Sequence, residues 1–215
     1  MFKKLFNPDN ALMITMSQVT DCIFLSLFWA LGCFPLFTVG ASSAALYDAV
    51  YHGFRKGDKH SWGRFLRVFK ENWKAGILPT IIFTGGCALD LHLVIQVWNS
   101  AVAGSISMAV FAGAALIGAL VLGMLSILFP MLSRFQNSFA GMLKNTVLLA
   151  MANMPRTLML GILNAISAFL CVRFIFPLFF LPSLAALIGS LFIEPMFKPY
   201  MPEEPDEEIT EEAAE

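Results

Sequence analysis

The stretch Ser61-Trp-Gly-Arg-Phe-Leu-Arg-Val-Phe-Lys-Glu-Asn-Trp-Lys74 has the pattern of a basic amphipathic helix. Its aromatic and aliphatic residues recur at helical spacing, while most of its charged residues fall on the remaining faces. Ser61 is placed to cap the N-terminus of this helix. We therefore predict an interfacial basic helix that includes Trp62, Arg64, Phe65, Arg67, Phe69, Lys70, Asn72, Trp73 and Lys74.

Apolar runs long enough to cross a bilayer lie on both sides of this stretch, and the whole composition agrees with them. The chain of 215 residues is 58% hydrophobic and 13% charged, which lies outside the range of soluble globular domains. Because cationic segments between spans are retained in the cytoplasm, the basic helix sets the orientation of the rest. The composition predicts an all-α integral membrane protein.

The charge of the chain is divided between a cationic body and an acidic end. Eight of the fifteen acidic residues lie in the last thirteen positions, namely Glu203, Glu204, Asp206, Glu207, Glu208, Glu211, Glu212 and Glu215. A segment this acidic has too little apolar surface to pack. We predict one transmembrane helical domain over residues 1–198 and a disordered, cytoplasmic acidic tail over residues 199–215.

Hydropathy predicts five spans. They cover about residues 19–39, 75–97, 105–132 and 157–176, with a fifth ending near residue 197. Pro35 is expected to kink or end the first span. A half-polar helix to about residue 54 precedes the basic helix, and the mixed segment 134–156, with three bases and no acid, predicts a second cytoplasmic interfacial helix.

One alternative to this topology has six spans. If residues 11–34 and 36–53 form two spans or a re-entrant hairpin, the N-terminal end lies in the cytoplasm, whereas five spans place it outside. In the third span, Ala115, Ala119 and Gly123 recur every four residues, which predicts a close helix–helix contact.

The segment between the first span and the basic helix resembles a known family. Phe34-Pro-Leu-Phe-Thr-Val-Gly-Ala-Ser-Ser-Ala-Ala-Leu-Tyr47 is similar to the signature of the YesL-like bacterial integral membrane proteins. The matching positions are Pro35, Thr38, Gly40, Ala45, Leu46 and Tyr47, and the run from Phe65 to Trp73 matches the amphipathic segment that follows the signature.

This resemblance implies a location and a context, and it implies no chemistry. Members of the family have no established activity, and they are often encoded beside carbohydrate ABC transporters. The resemblance therefore implies the bacterial plasma membrane and a link to sugar uptake. It provides no catalytic residues to carry over.

Four ionisable residues lie in the outer halves of the predicted spans, where burial of charge is costly. One interpretation is a polar cluster lining a water-accessible cavity, in which Asp90 pairs with Arg173 beside His92 or Asp21. The other is that Asp21 and Arg173 extend to the interface while Asp90 is hydrogen-bonded within the bundle. The second is favoured for Asp21 and Arg173, and the two are nearly balanced for Asp90.

The sequence has no motif of a known enzyme or metal site. The four cysteines and three histidines are scattered, so we expect no disulfide, metal, cofactor or catalytic residue. The basic helix is expected to meet anionic lipid headgroups or the acidic side of a cytoplasmic partner, and nucleic acid is not an expected partner.

The expected function is that of a non-enzymatic accessory or regulatory membrane subunit associated with carbohydrate ABC transporter subunits. A small solute transporter or channel built around Asp90 is the second hypothesis. An enzyme embedded in the membrane is the third.

Overall fold

A computed structural model of the chain describes residues 11–58, 60–105, 107–134 and 139–200, with backbone alone for residues 11–15. The described residues contain no strand. The helices are α1 (Ala11–Cys33), α2 (Val39–Val50), α3 (Ser61–Asn72), α4 (Ile77–Val102), α5 (Met108–Arg134), α6 (Phe139–Ala152), α7 (Met154–Arg173) and α8 (Leu181–Phe197). Short 3₁₀ turns at Leu36–Thr38, Phe176–Phe179 and Lys198–Tyr200 and a π turn at Tyr51–Arg55 join or extend them. The fold is the predicted all-α bundle.

Five of these helices are long and apolar enough to cross a membrane. They are α1 from Met16, α4, α5, α7, and α8 with the turn to Tyr200. A span needs about 20 residues, and α2 has only 12. The five-span prediction is therefore confirmed by length and composition, and α2 is not among the five candidate spans. The residues predicted as the acidic tail lie outside the described residues from Met201 onward.

Two predicted boundaries are wrong. The loop predicted at residues 98–104 begins only after Val102, because no glycine or proline lies between Gly86 and Gly104 to end α4 earlier. Gly104 has a φ of +74°, a conformation that glycine adopts without strain. The first span ends at Cys33 instead of continuing to residue 39, because Pro35 follows so closely. The longer α4 places Asp90 at the middle of its span and not in the outer half.

The centre of the bundle is α2, the helix predicted to be half-polar. Ten of its twelve residues are buried, and Ala41, Ala44, Ala45 and Ala49 are fully covered. It packs against α1, α3, α5 and α8. Small side chains let these neighbours approach closely. Polar groups on a helix so enclosed need partners inside the protein.

Helices α5 and α7 make the closest helix contact, on the ridge predicted from the sequence. A β-carbon on Gly123 would lie 1.9 Å from the Thr157 carbonyl oxygen, and one on Gly161 would lie 1.6 Å from that of Ala119. No residue larger than glycine fits either position without moving backbone. The predicted close contact is confirmed for Ala119 and Gly123.

Candidate functional site

The turn into α2 is fixed by hydrogen bonds from two residues of the family-like signature. The Thr38 hydroxyl lies 2.6 Å from the Gly32 carbonyl oxygen and 2.7 Å from that of Pro35. The Gly40 amide donates to Thr80 Oγ1 at 2.7 Å. A β-carbon at Gly40 would lie 2.5 Å from the same Oγ1 atom. Glycine at this position therefore lets α2 begin in direct contact with α4.

Asp48, the residue after the signature, joins α2 to α3 through a buried ion pair. It is 4% exposed, and its Oδ2 atom lies 2.5 Å from Arg64 Nε. His52 Nδ1 lies 3.3 Å from Oδ1, and His52 Nε2 lies 3.0 Å from Arg64 Nη2. An arginine can only donate, so His52 Nε2 is the acceptor and its proton is on Nδ1. The three side chains form a closed triangle.

The charge state of Asp48 follows from these contacts. Burial raises the pKa of its carboxyl, but the hydrogen bonds from His52 and Arg64 and the charge of the Arg64 guanidinium outweigh burial and hold the pKa below its usual value. Asp48 is therefore an anion at neutral pH. Its charge is matched by the Arg64 guanidinium.

The structure corrects two predictions about α3. Arg64 was assigned to the basic face that meets headgroups, yet it points inward to Asp48 because a buried carboxylate needs a counter-charge. Ser61 is the first residue of α3 and not its cap. The N-cap is His60, which makes no side-chain capping bond, and its own amide donates to Asp58 Oδ1 at 2.9 Å.

The other residues of the predicted basic helix divide between two environments. Phe65 is buried, Phe69 is half-buried, and the Asn72 amide group donates to the Val68 carbonyl oxygen at 3.0 Å. The exposed residues are Trp62, Arg67, Lys70, Trp73 and Lys74. The interfacial role of this exposed face stays a prediction.

A second polar cluster joins α2 to the ends of two spans. Glu194 Oε1 accepts from the Tyr47 hydroxyl at 2.8 Å and from Arg134 Nη2 at 2.9 Å. The Arg134 guanidinium carbon lies 4.4 Å from the centre of the Tyr51 ring. Burial, followed by the Glu194 charge, raises the pKa of Tyr47, so its hydroxyl remains a neutral donor.

Sequence reasoning did not find Arg134 and Glu194 as partners. The signal available was one acid inside the last span and one base at the end of the third. Their pairing depends on α8 and α5 ending beside the same face of α2, and spacing along the chain does not reveal that arrangement. The sequence separation of the pair is 60 residues.

The predicted cluster of Asp90, His92, Arg173 and Asp21 is not assembled in the described residues. Asp90 is half-buried and faces Gly118, where a β-carbon would lie 2.8 Å from Asp90 Oδ1. Arg173 is exposed over the Phe174 ring at 5.4 Å, so the anticipated Asp90–Arg173 ion pair is absent from this part of the chain. The reason is packing, because α4 lies on α5, whereas α7 lies between α5 and α8.

The two remaining members of that cluster lie apart from each other. His92 is exposed on α4. Asp21 lines a cavity of about 280 Å³ together with Phe24, Phe28 and Trp62. Within the described ranges, no group of three metal-binding side chains occurs, and the four cysteines are unpaired.

Comparison with known proteins shows that part of this chain is similar to one family. A family model described as "Protein of unknown function, DUF624" matches residues 22–91. The match includes Asp48, His52, Arg64 and Asp90 and ends before Arg134. No curated protein matches the chain, and no solved structure does. Over these seventy residues the chain is similar to a family of unknown function.

Proposed function

We propose that this protein is a non-enzymatic accessory or regulatory membrane subunit that docks through α4 onto another membrane protein. The resemblance to the YesL-like family suggests that this partner belongs to a carbohydrate ABC importer. The observation that carries the proposal is the state of Asp90 and His92. Both lie in the span α4, and no hydrogen bond or ion pair reaches either from the described residues.

Helix α4 has little protein cover. Of its 26 residues only Pro79, Thr80 and Ala101 are buried. Around Asp90 the side chains of Leu89 and Leu91 are both 61% exposed. A helix that is apolar and open on several sides needs a cover of lipid or protein.

Lipid is a poor cover for this part of α4. An ionised carboxylate at the centre of a span costs about 2.5–3.5 kcal/mol on insertion scales. A partner helix that offers a cation or a hydrogen-bond donor to Asp90 offsets that cost. The exposed leucines on either side supply the apolar contact that such a helix would bury.

The internal polar clusters support a non-catalytic role. Asp48 is committed to Arg64 and His52, and Glu194 is committed to Arg134 and Tyr47. Each cluster joins helices of the bundle. Neither cluster contains a nucleophile that faces a cavity in which a substrate could bind.

Affinity purification from native membranes in mild detergent tests the proposal. We expect permease or ATPase subunits of a carbohydrate importer to be recovered in near-stoichiometric amounts. Asp90→Asn is expected to reduce that recovery at least about tenfold, which corresponds to about 1.4 kcal/mol.

Asp21→Asn is the matched control, because it neutralises an acid in a different span. It should leave recovery unchanged. Recovery of the protein alone, under conditions that preserve a known membrane complex, would contradict the proposal.

A small solute transporter is the second candidate, and the contact between Asp90 and Gly118 favours it. Because residue 118 is a glycine, the Asp90 carboxylate can lie directly against α5 between the two helices. Purified protein in liposomes should then move solute without a partner and lose that activity in Asp90→Asn. Liposomes that remain inactive with a panel of sugars and cations would argue against this candidate.

A further inference from the structure

We propose that the acidic segment of residues 203–215 docks on a cationic patch beside the end of α8. The patch consists of Arg55, Lys56 and Arg134, arranged around the Tyr51 ring, and we call it the Tyr51 patch. The inference does not depend on the accessory role proposed above.

The Tyr51 patch concentrates positive charge at one aromatic ring. The side-chain cations of Arg134, Arg55 and Lys56 lie 4.4, 5.9 and 6.0 Å from the ring centre. Arg55 and Lys56 are exposed. Glu194 is the carboxylate bonded to Arg134, and it also accepts from Tyr47. Three positive charges therefore surround the ring.

The acidic segment is tethered next to this patch. Arg55 Nη1 contacts the Ser190 carbonyl oxygen at 3.4 Å, so the patch touches α8 itself. The helical path from Glu194 to Tyr200 covers roughly 10 Å, at about 1.5–2 Å per residue. Glu203 lies three residues further, at most about 10 Å away. The first acids are therefore within reach of Arg55 and Lys56.

The tether also places both surfaces on the same side of the membrane. This holds for either orientation of the bundle, because the patch is in contact with the end of the helix from which the segment continues. Charge complementarity then selects the occupant. Eight of the thirteen residues from 203 to 215 are acidic.

Tethering makes weak contacts sufficient. One exposed ion pair contributes about 0–1 kcal/mol. A segment tethered this close has an effective concentration of the order of millimolar, so several such pairs together populate the docked state. The interaction should weaken as salt shortens the screening length.

Zero-length cross-linking of the full chain tests the inference. The protein is reconstituted in phosphatidylcholine vesicles at about 0.05 M salt, where screening is weak. A carbodiimide then joins carboxylates to amines, and mass spectrometry identifies the linked peptides. We expect links from residues 203–208 to Lys56 in several-fold excess over links to the exposed lysines Lys70 and Lys144.

Two variants make the test specific to the patch. Arg55→Gln should lower the Lys56 yield at least about threefold, whereas Arg67→Gln, which removes an exposed arginine on α3, should leave it unchanged. Links to Lys198, which is close in sequence to the acids, serve as the internal reference for reactivity. Raising salt to about 0.5 M should abolish the excess, because the screening length falls below about 5 Å.

Three results would overturn the inference. The first is equal linking to Lys56, Lys70 and Lys144, and the second is a Lys56 yield unaffected by Arg55→Gln. The third is loss of the link when phosphatidylglycerol replaces phosphatidylcholine, which would identify a lipid headgroup as the occupant of the patch.

Discussion

At the scale of single residues, two neighbours in the sequence organise the polar interior. Tyr47 and Asp48 follow each other on α2, and successive helical residues point in directions about 100° apart. Tyr47 reaches Glu194 on α8, and Asp48 reaches Arg64 on α3. One dipeptide therefore connects α2 with two different helices.

The Asp48 ion pair predicts a particular pH dependence. Because the pKa of Asp48 in the folded protein lies below its ordinary value of 3.8, its stabilisation is complete above that value and is lost as pH falls below it through the folded-state pKa. The thermal midpoint of Asp48→Asn should lie below that of the wild type at neutral pH by an amount that is constant down to about pH 5. The gap should then narrow toward pH 3. A gap that stays constant to pH 3 would contradict the ion pair.

The hydroxyl of Tyr47 should also contribute measurably to stability. Tyr47→Phe removes one of the two hydrogen bonds to Glu194 and keeps the ring, and bonds to charged groups contribute about 1.5–3 kcal/mol. For a chain of this size that is a loss of roughly 3–12 °C in the thermal midpoint in detergent. Tyr200→Phe, at a residue that is 67% exposed, is the control and should change little.

At the scale of elements, glycines that look alike in sequence differ in how closely another helix approaches them. Helices α5 and α7 touch backbone to backbone at Gly123 and Gly161. On the same α5, Gly113 has open space where its β-carbon would be. Gly113 and Gly123, two of the three glycines of α5, therefore have opposite structural roles.

Alanine substitution should distinguish these two roles. Gly161→Ala places a β-carbon 1.6 Å from the Ala119 carbonyl oxygen, so the helices must separate, at a cost of at least about 1–3 kcal/mol. Gly113→Ala should be neutral or stabilising, because alanine has the higher helix propensity. Thermal unfolding in detergent is the measurement. Equal effects of both changes would refute the contact.

At the scale of the whole molecule, the number of spans determines which segments lie on the same side of the membrane. Four spans, α4, α5, α7 and α8, lie between α3 and Tyr200. An even number of crossings returns the chain to the side from which it started. The basic helix α3 and the end of α8 therefore share one side, and the turn at residues 103–107 lies on the other.

Site-specific labelling tests this arrangement. In a variant without the four native cysteines, His60→Cys and Ser105→Cys are introduced singly at exposed positions. A maleimide that does not cross membranes should label Ser105→Cys from outside intact cells. It should label His60→Cys only after the cells are opened, in agreement with the positive-inside rule. Labelling of both from one side would exclude five spans.

The sequence was sufficient for those features that depend on local chemistry. Hydropathy predicted five spans, and Pro35 and the small residues at Ala119 and Gly123 predicted a helix end and a close contact. The clusters could not be predicted in the same way. Asp90 and Arg173 were matched by depth along their spans, but pairing depends on which helices are neighbours, and α4 and α7 pack on different partners.

The misplacement of Arg64 has a related cause. A helical periodicity assigns every base of 61–74 to one class of surface, because it contains no information about a carboxylate elsewhere in the chain. Asp48 lies sixteen residues earlier and is buried in the folded state. A base that faces a buried acid looks, in sequence, the same as a base that faces water.

The late position of Glu194 has a consequence for biogenesis. Tyr47 and Arg134 are synthesised 147 and 60 residues before the carboxylate that both of them bind. Until the ribosome has delivered the last span, the nascent chain carries an arginine in the bundle without its counter-ion. Insertion of α8 is thus the step that completes the interior. A chain interrupted before Glu194 should be retained by insertion chaperones or degraded by membrane proteases.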